Sequence, residues 1–255
     1  MINRMRGVGI LVAAASMATA GLLLAEEQHH WGYQGTTGPS HWGAMEHEYA
    51  ACGTGKTQSP IDIEESAAKK SDLPAIAFDY KPSPLKIVDN GHTVQVIYAP
   101  GSSITVAGKQ YELVQFHFHK PSEEKINGKP SDMVVHLVHR DRDGKLAVVA
   151  VLLQAGASNS LIETLWKNVP KEKEKETDVQ GVQVNAADLL PANKAAYYTF
   201  MGSLTTPPCS EGVTWFVLKA RTTISKDELA SFAKLYSMNA RPTQAVNGRE
   251  IRETK

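Results

Sequence analysis

The sequence predicts a single sheet-dominated α+β domain over residues 26–255, built on a large, mostly antiparallel central β-sheet with short peripheral helices. Short runs of alternating apolar residues dominate His92 to Leu153, and turn residues separate them. No linker-like break in composition interrupts residues 26–255, and 42% hydrophobic with 21% charged residues leaves enough apolar material for one sizeable core.

The elements follow in order. Val94, Val96 and Tyr98 mark one face of a first strand, and Tyr111 to His119, Met133 to His139 and Leu146 to Leu153 give three more. Gly101, Gly108, Asn127-Gly128 and Asp143-Gly144 supply the turns, so these strands are expected to be neighbours. Ser160 with Glu163 forms a capping-box pattern ahead of Leu161, Leu165 and Trp166, predicting a short helix that stops by Pro170. Lys171 to Glu176 alternates in sign with no apolar residue and reads as a solvated loop. Ser225 and Glu228 open a second helix whose Leu229, Phe232, Ala233 and Tyr236 recur at helical spacing and face the core. No period of 20–50 residues recurs, so a solenoid or propeller is not expected.

Charge and targeting signals narrow the function classes. Lys and Arg together number 27, as do Asp and Glu, and no basic stripe interleaves with aromatics, so a nucleic-acid partner is not expected. Arg4 and Arg6 precede an uncharged apolar run from Gly7 to Ala25, the pattern of a signal peptide over residues 1–25. Small residues allow cleavage after Ala20 or after Ala25, with the second favoured by the charged Glu26-Glu27 that follows. A membrane anchor is the alternative, since about 19 apolar residues can just span a bilayer. Cleavage would leave a periplasmic or secreted chain of net charge −2, with no membrane attachment. In such a compartment Cys52 and Cys209 have only each other for a disulfide, two buried thiols being the other reading.

All nine histidines fall between His29 and His139. In Gln115-Phe116-His117-Phe118-His119 the side chains alternate, so His117 and His119 leave one face of the strand together. If the run Val134 to His139 pairs with this strand, His136 can join them. Three neutral imidazoles suit Zn²⁺ and leave an open position where water becomes acidic. A histidine pair on a strand is otherwise commonly structural.

Further motifs extend this reading: His30-Trp31-Gly32-Tyr33, His41-Trp42-Gly43, Gln58 to Ile63, Asn90-Gly91-His92, Ser122-Glu123, Gly202 to Cys209, and Arg241-Pro242-Thr243-Gln244. Together with the histidine runs, in this order and at this spacing, they resemble the exported α-class carbonic anhydrases over nearly all of residues 29–251. The resemblance implies a zinc enzyme that hydrates carbon dioxide reversibly to bicarbonate, with esterase side activity and inhibition by sulfonamides or anions. It implies His117, His119 and His136 as zinc ligands, Gln115 as hydrogen-bond partner of the first, Thr205 orienting the zinc-bound hydroxide, Glu123 orienting Thr205, and His92 as proton shuttle. It also implies a Cys52–Cys209 disulfide and a substrate pocket from Val138, Val148, Leu204, Thr206, Val213 and Trp215. Monomer and homodimer both fit. One position departs from the family: the third ligand's usual partner is a glutamate two residues before it, and Val134 stands there. His136 must find another acceptor or water, or zinc is held more weakly. The reading from another class is a non-catalytic binding module of the same fold.

Overall fold

The computed structural model describes residues 30–255, so the signal-peptide reading of residues 1–25 lies outside the described residues. Seven strands position the site: β1 (Ser83–Asp89), β2 (Val94–Ile97), β3 (Lys109–His119), β4 (Met133–Arg140), β5 (Leu146–Ala155), β6 (Tyr197–Ser203) and β7 (Glu211–Leu218). They lie within a 13-stranded sheet in the order β1-β2-β3-β4-β5-β7-β6, with further strands beyond each end. Most pairings are antiparallel, as expected from the turns, but β5 runs parallel to β7. The chain between them is therefore long, and it carries the helix α1 (Ser160–Lys167), the strand Thr177–Val184 and β6.

The central strands are buried on both faces. On β4, Met133, Val135, Leu137 and His139 enter a large core with Phe116 and Phe118 of β3, while Val134, His136 and Val138 face the other way. β3 skips one residue against β4 between Gln115 and Leu113, so the alternation of β3 shifts phase there. The shift leaves Gln115, His117 and His119 in step with the site-facing residues of β4.

Both predicted helices form, with one difference at the first. Asn159, not Ser160, caps α1: its Oδ1 accepts from Leu161 N at 3.0 Å and Ile162 N at 3.2 Å, and the helix stops at Lys167, before Pro170. Ser and Asn are comparably good caps, and here Asn159 has the extended backbone a cap requires. The second helix, α2 (Lys226–Leu235), has the full capping box of Ser225 and Glu228. Glu228 also accepts from Asn159 N at 3.1 Å, which ties the two helix starts together. Residues 171–176 are exposed, as their charge pattern predicts.

Candidate metal centre

The site is assembled by register. In the β3–β4 pair, His136 lies directly opposite His117, and Val134 lies opposite His119. One ring nitrogen from each of His117, His119 and His136 falls within 4.8 Å of the others. In each ring the remaining nitrogen is already committed. His117 Nδ1 donates to Gln115 Oε1 at 2.8 Å, and Gln115 is on the same face two residues earlier. His119 Nδ1 donates to the backbone oxygen of Asn239 at 2.8 Å. His136 Nε2 donates to both carboxylate oxygens of Glu124, at 2.9 and 3.2 Å. Each acceptor fixes a tautomer whose free nitrogen turns into the shared space.

That arrangement fits a metal ion. Among the described residues His119 Nε2 is buried with no hydrogen-bond partner, which is costly for a polar atom unless something else occupies the space between the rings. The electrostatics point the same way. Burial and the neighbouring His136 push His117 down to about 3, and burial holds His119 well below its ordinary value, so both present lone pairs rather than protons. Burial opposes charge on His136 too, but the Glu124 carboxylate overrides it by charge and hydrogen bond, with Glu123 adding to the effect, and raises this ring above the ordinary histidine value. Burial lifts Glu123 to about 7, against the opposing pull of the neighbouring His136. Three imidazoles, each with one free nitrogen turned into the same space, make a donor set suited to zinc.

The surroundings of the histidines come from distant parts of the chain. Glu123 Oε1 accepts from Arg241 N at 2.8 Å, and the Arg241 guanidinium is spent on Gln58 Oε1, Ser59 O and Cys52 O at 2.7–3.0 Å. Thr205 is buried beside Glu123 and helps to lower its carboxyl. The loop carrying Thr205 and Thr206 is closed by Cys209 N donating to Thr206 O at 2.8 Å and by the Cys52–Cys209 disulfide, whose Cα atoms are 5.0 Å apart. Gly202 allows this loop to start close against the sheet, because a Cβ there would come within 2.1 Å of Ser59 Oγ and 2.8 Å of Trp215 Cδ1.

Val138, Val148, Val213 and Trp215 form one buried apolar cluster, with Leu204 packed against it and Thr206 half-buried nearby in sequence. The ring of Trp215 lies 5.0 Å from that of His136, which puts the cluster beside the three histidines. His92 sits in the turn between β1 and β2, held by Asn90 Oδ1 accepting from His92 N at 3.1 Å. Its ring stacks on Trp31 with 3.5 Å between centroids, and His30 stacks at 4.8 Å. Burial and the His30 and Lys173 charges lower His92 to about 4.

Sequence reasoning did not find Glu124, Asn239 or the role of Arg241. Asn239 is fully buried: its carbonyl holds His119, its Oδ1 accepts from Lys120 N at 2.7 Å, and its Nδ2 donates to His92 O and Phe118 O. A backbone acceptor leaves no mark on residue type. Glu124 stood next to a residue already given a role, and the charge of a Glu-Glu pair in a turn-rich stretch reads as surface; here both are buried.

Comparison with known proteins places these features in a family. The model of the eukaryotic-type carbonic anhydrases matches residues 37–255. A carbonic anhydrase of Neisseria gonorrhoeae is 43% identical over 230 residues, 88% of this chain and 88% of the relative. Among solved structures, a hyperthermostable carbonic anhydrase from an active hydrothermal vent chimney superposes with a TM-score of 0.85 at 46% identity, covering 89% of this chain and all of that one. The α-carbonic anhydrase of Thermovibrio ammonificans, solved with the inhibitor sulfanilamide, superposes with a TM-score of 0.84 at 40% identity over 88% of this chain and 98% of that one. Among the described residues no helix is long and apolar enough to cross a membrane.

Proposed function

The chain belongs to the eukaryotic-type (alpha) carbonic anhydrase family, and from that premise we propose that it hydrates carbon dioxide reversibly with Zn²⁺ held by His117, His119 and His136. The observation that carries this is the convergence of three ring nitrogens whose opposite nitrogens are all tied off, around a buried His119 Nε2 with no other partner among the described residues. Zinc bound there would supply a Lewis acid that makes water ionise near neutral pH, for which carbonic anhydrase is itself the standard illustration.

The remaining work falls to the chain. Arg241 N–H occupies Glu123 Oε1 and so fixes the carboxylate, leaving Oε2 to accept the Thr205 hydroxyl. Thr205 then presents an oxygen lone pair to the reacting water and orients it. Carbon dioxide carries no charge and needs no hydrogen bond, and the walls formed by Val138, Val148, Val213, Trp215 and Leu204 offer it an apolar seat beside that water. Hydration releases a proton, and His92 is the group that carries it out. Stacked on Trp31 with its basicity lowered to about 4, the ring is a poor proton acceptor near neutral pH. Transfer therefore requires the ring to leave the stack, where it regains the basicity of a solvated imidazole.

The same site would hydrolyse activated esters as a side activity, and anions or sulfonamides would compete for it, as sulfanilamide inhibits the Thermovibrio relative. The apolar run at residues 7–25 supports export to the periplasm or beyond. Zinc content measured on the purified protein, together with the carbon dioxide hydration rate with and without an aromatic sulfonamide, tests the proposal. One zinc per chain and inhibitable hydration are expected; a chain that takes up no zinc, or hydrates carbon dioxide no faster than buffer, overturns it. His92→Ala should slow hydration in dilute buffer and recover when a small imidazole buffer is added.

A further inference from the structure

Val134 gives the strand no carboxylate to place behind His136, and a carboxylate lies there from another part of the chain. Val134 and His136 are two apart on β4 and so share a face. Val134 is fully buried in the apolar cluster that contains Ile61, Ile63 and Leu152. The carboxylate arrives instead from Glu124, beyond the end of β3. Both of its oxygens engage His136 Nε2, and both side chains are buried.

Glu124 is not a loop residue that happens to touch the ring, because the chain on both sides is fastened. Ser122 Oγ donates to the Glu124 backbone oxygen at 2.7 Å and accepts from Ser131 N at 2.8 Å, while Ser122 N donates to Ser131 O at 3.1 Å. On the other side Lys125 N donates to Ile61 O at 3.3 Å, and Lys125-Ile126 pairs in parallel with Asp62-Ile63. The carboxylate is thus aimed by the backbone around it, as an orienting partner of a metal ligand must be.

We propose that Glu124 is the positioning residue of the third zinc ligand, and that Glu124 with Val134 is one coupled solution in which the loop, and not the strand, supplies the orienting carboxylate. The ring nitrogen that faces away from the metal has room for one carboxylate. A second one at position 134 would be buried beside the first, on the same ring and with no cation of its own. Positions 124 and 134 therefore accept one acidic residue between them, and each substitution changes sign with the other.

The inference rests on the three histidines holding zinc, and its test separates the two claims. Zinc release to a chelator and the thermal midpoint of the zinc-free form are measured for the parent, E124Q, V134E and the double variant E124Q/V134E. E124Q should release zinc on the order of 10–100-fold faster than the parent, with a much smaller effect on the zinc-free midpoint. V134E alone should lower that midpoint and should not slow zinc release. The double variant should regain release to within a few-fold of the parent, which a merely structural role for Glu124 would not produce. If E124Q does not fold, E124D keeps the charge but shortens its reach, and the same acceleration is expected. Parental release rates in E124Q, or a double variant no better than E124Q, overturn the coupling while leaving the metal centre intact. A parent that binds no zinc overturns the metal centre and this inference with it.

Discussion

His136 and His139 stand three residues apart on one strand, both buried, and the protein uses them in opposite ways. His136 faces two carboxylates and two other imidazoles, and Glu124 raises its basicity against the effect of burial. His139 faces the large core, where the Tyr80 hydroxyl lies 2.8 Å from Nε2 and the Ala147 carbonyl accepts from Nδ1 at 3.3 Å. With no carboxylate against its ring, burial lowers it to about 3, and it serves as a neutral, hydrogen-bonded filler. A buried imidazole is therefore not a ligand by virtue of burial. What suits one to that role is an acceptor behind it and other unpartnered nitrogens in front, and of the two faces of β4 only that of His136 has both.

The largest effect should come from exchanging the two positions' fates. His136→Ala should abolish zinc retention and return hydration to the uncatalysed rate, whereas His139→Gln should keep one zinc per chain and near-parental activity. Metal analysis and stopped-flow hydration on both variants decide this, and zinc loss in His139→Gln would break the contrast.

The site face also depends on a crosslink that the core face lacks. Cys52 and Cys209 are 157 residues apart, and a loop of that length corresponds to about 5 kcal/mol in the chain-entropy model. Replacing both by serine should cost about 2–5 kcal/mol in urea unfolding. Because the same loop carries Thr205, hydration should slow as well. Unfolding curves that superimpose on the parent's would contradict this.

A smaller change on the site face should separate activity from stability. Thr205→Val keeps the shape of the side chain but removes the hydroxyl between Glu123 and the reacting water. Hydration should fall by about 10²-fold, the scale of losing one oriented hydrogen-bonding group at a reacting centre, with zinc still bound. A parental rate would remove Thr205 from the mechanism.

The smallest effect lies on the core face and appears only with pH. His139 is held at about 3 in the folded chain against an ordinary 6.5, so the unfolded chain binds the proton first. Its contribution to stability is complete above pH 6.5 and is lost as pH falls from there toward 3, with a slope of up to about 1.4 kcal/mol per pH unit. Urea unfolding of His139→Gln at pH 7 and pH 5 should show a shallower loss than the parent in the same metal state. Equal slopes would mean that His139 is not buried neutral.

The elements that were legible are those governed by local rules. Alternation placed His117 and His119 on one face, and the turns flanking residues 133–139 and 146–153 made those strands neighbours. The capping box at Ser225 forms as its residues imply, whereas the first helix is capped by Asn159, one residue before Ser160, because two good capping residues stand side by side. The pairing of β5 with β7 could not be read in this way, since a parallel neighbour is separated by a long crossover and no turn announces it.

By itself the sequence determined the sheet-rich architecture and which histidines could gather around a metal ion, because strand periodicity and the donor chemistry of imidazole depend only on residue type and spacing. The resemblance to its family also marked Val134, where a carboxylate partner for His136 is expected. Only the tertiary structure decided what compensates for it. Glu124 reaches His136 across twelve residues of folded-back chain, and Asn239 reaches His119 from 120 residues away through a carbonyl that every residue type possesses. Neither contact has a period, a spacing or a composition to betray it. Both exist because burial leaves each imidazole N–H with no water to bind, and the fold must bring a protein acceptor to it.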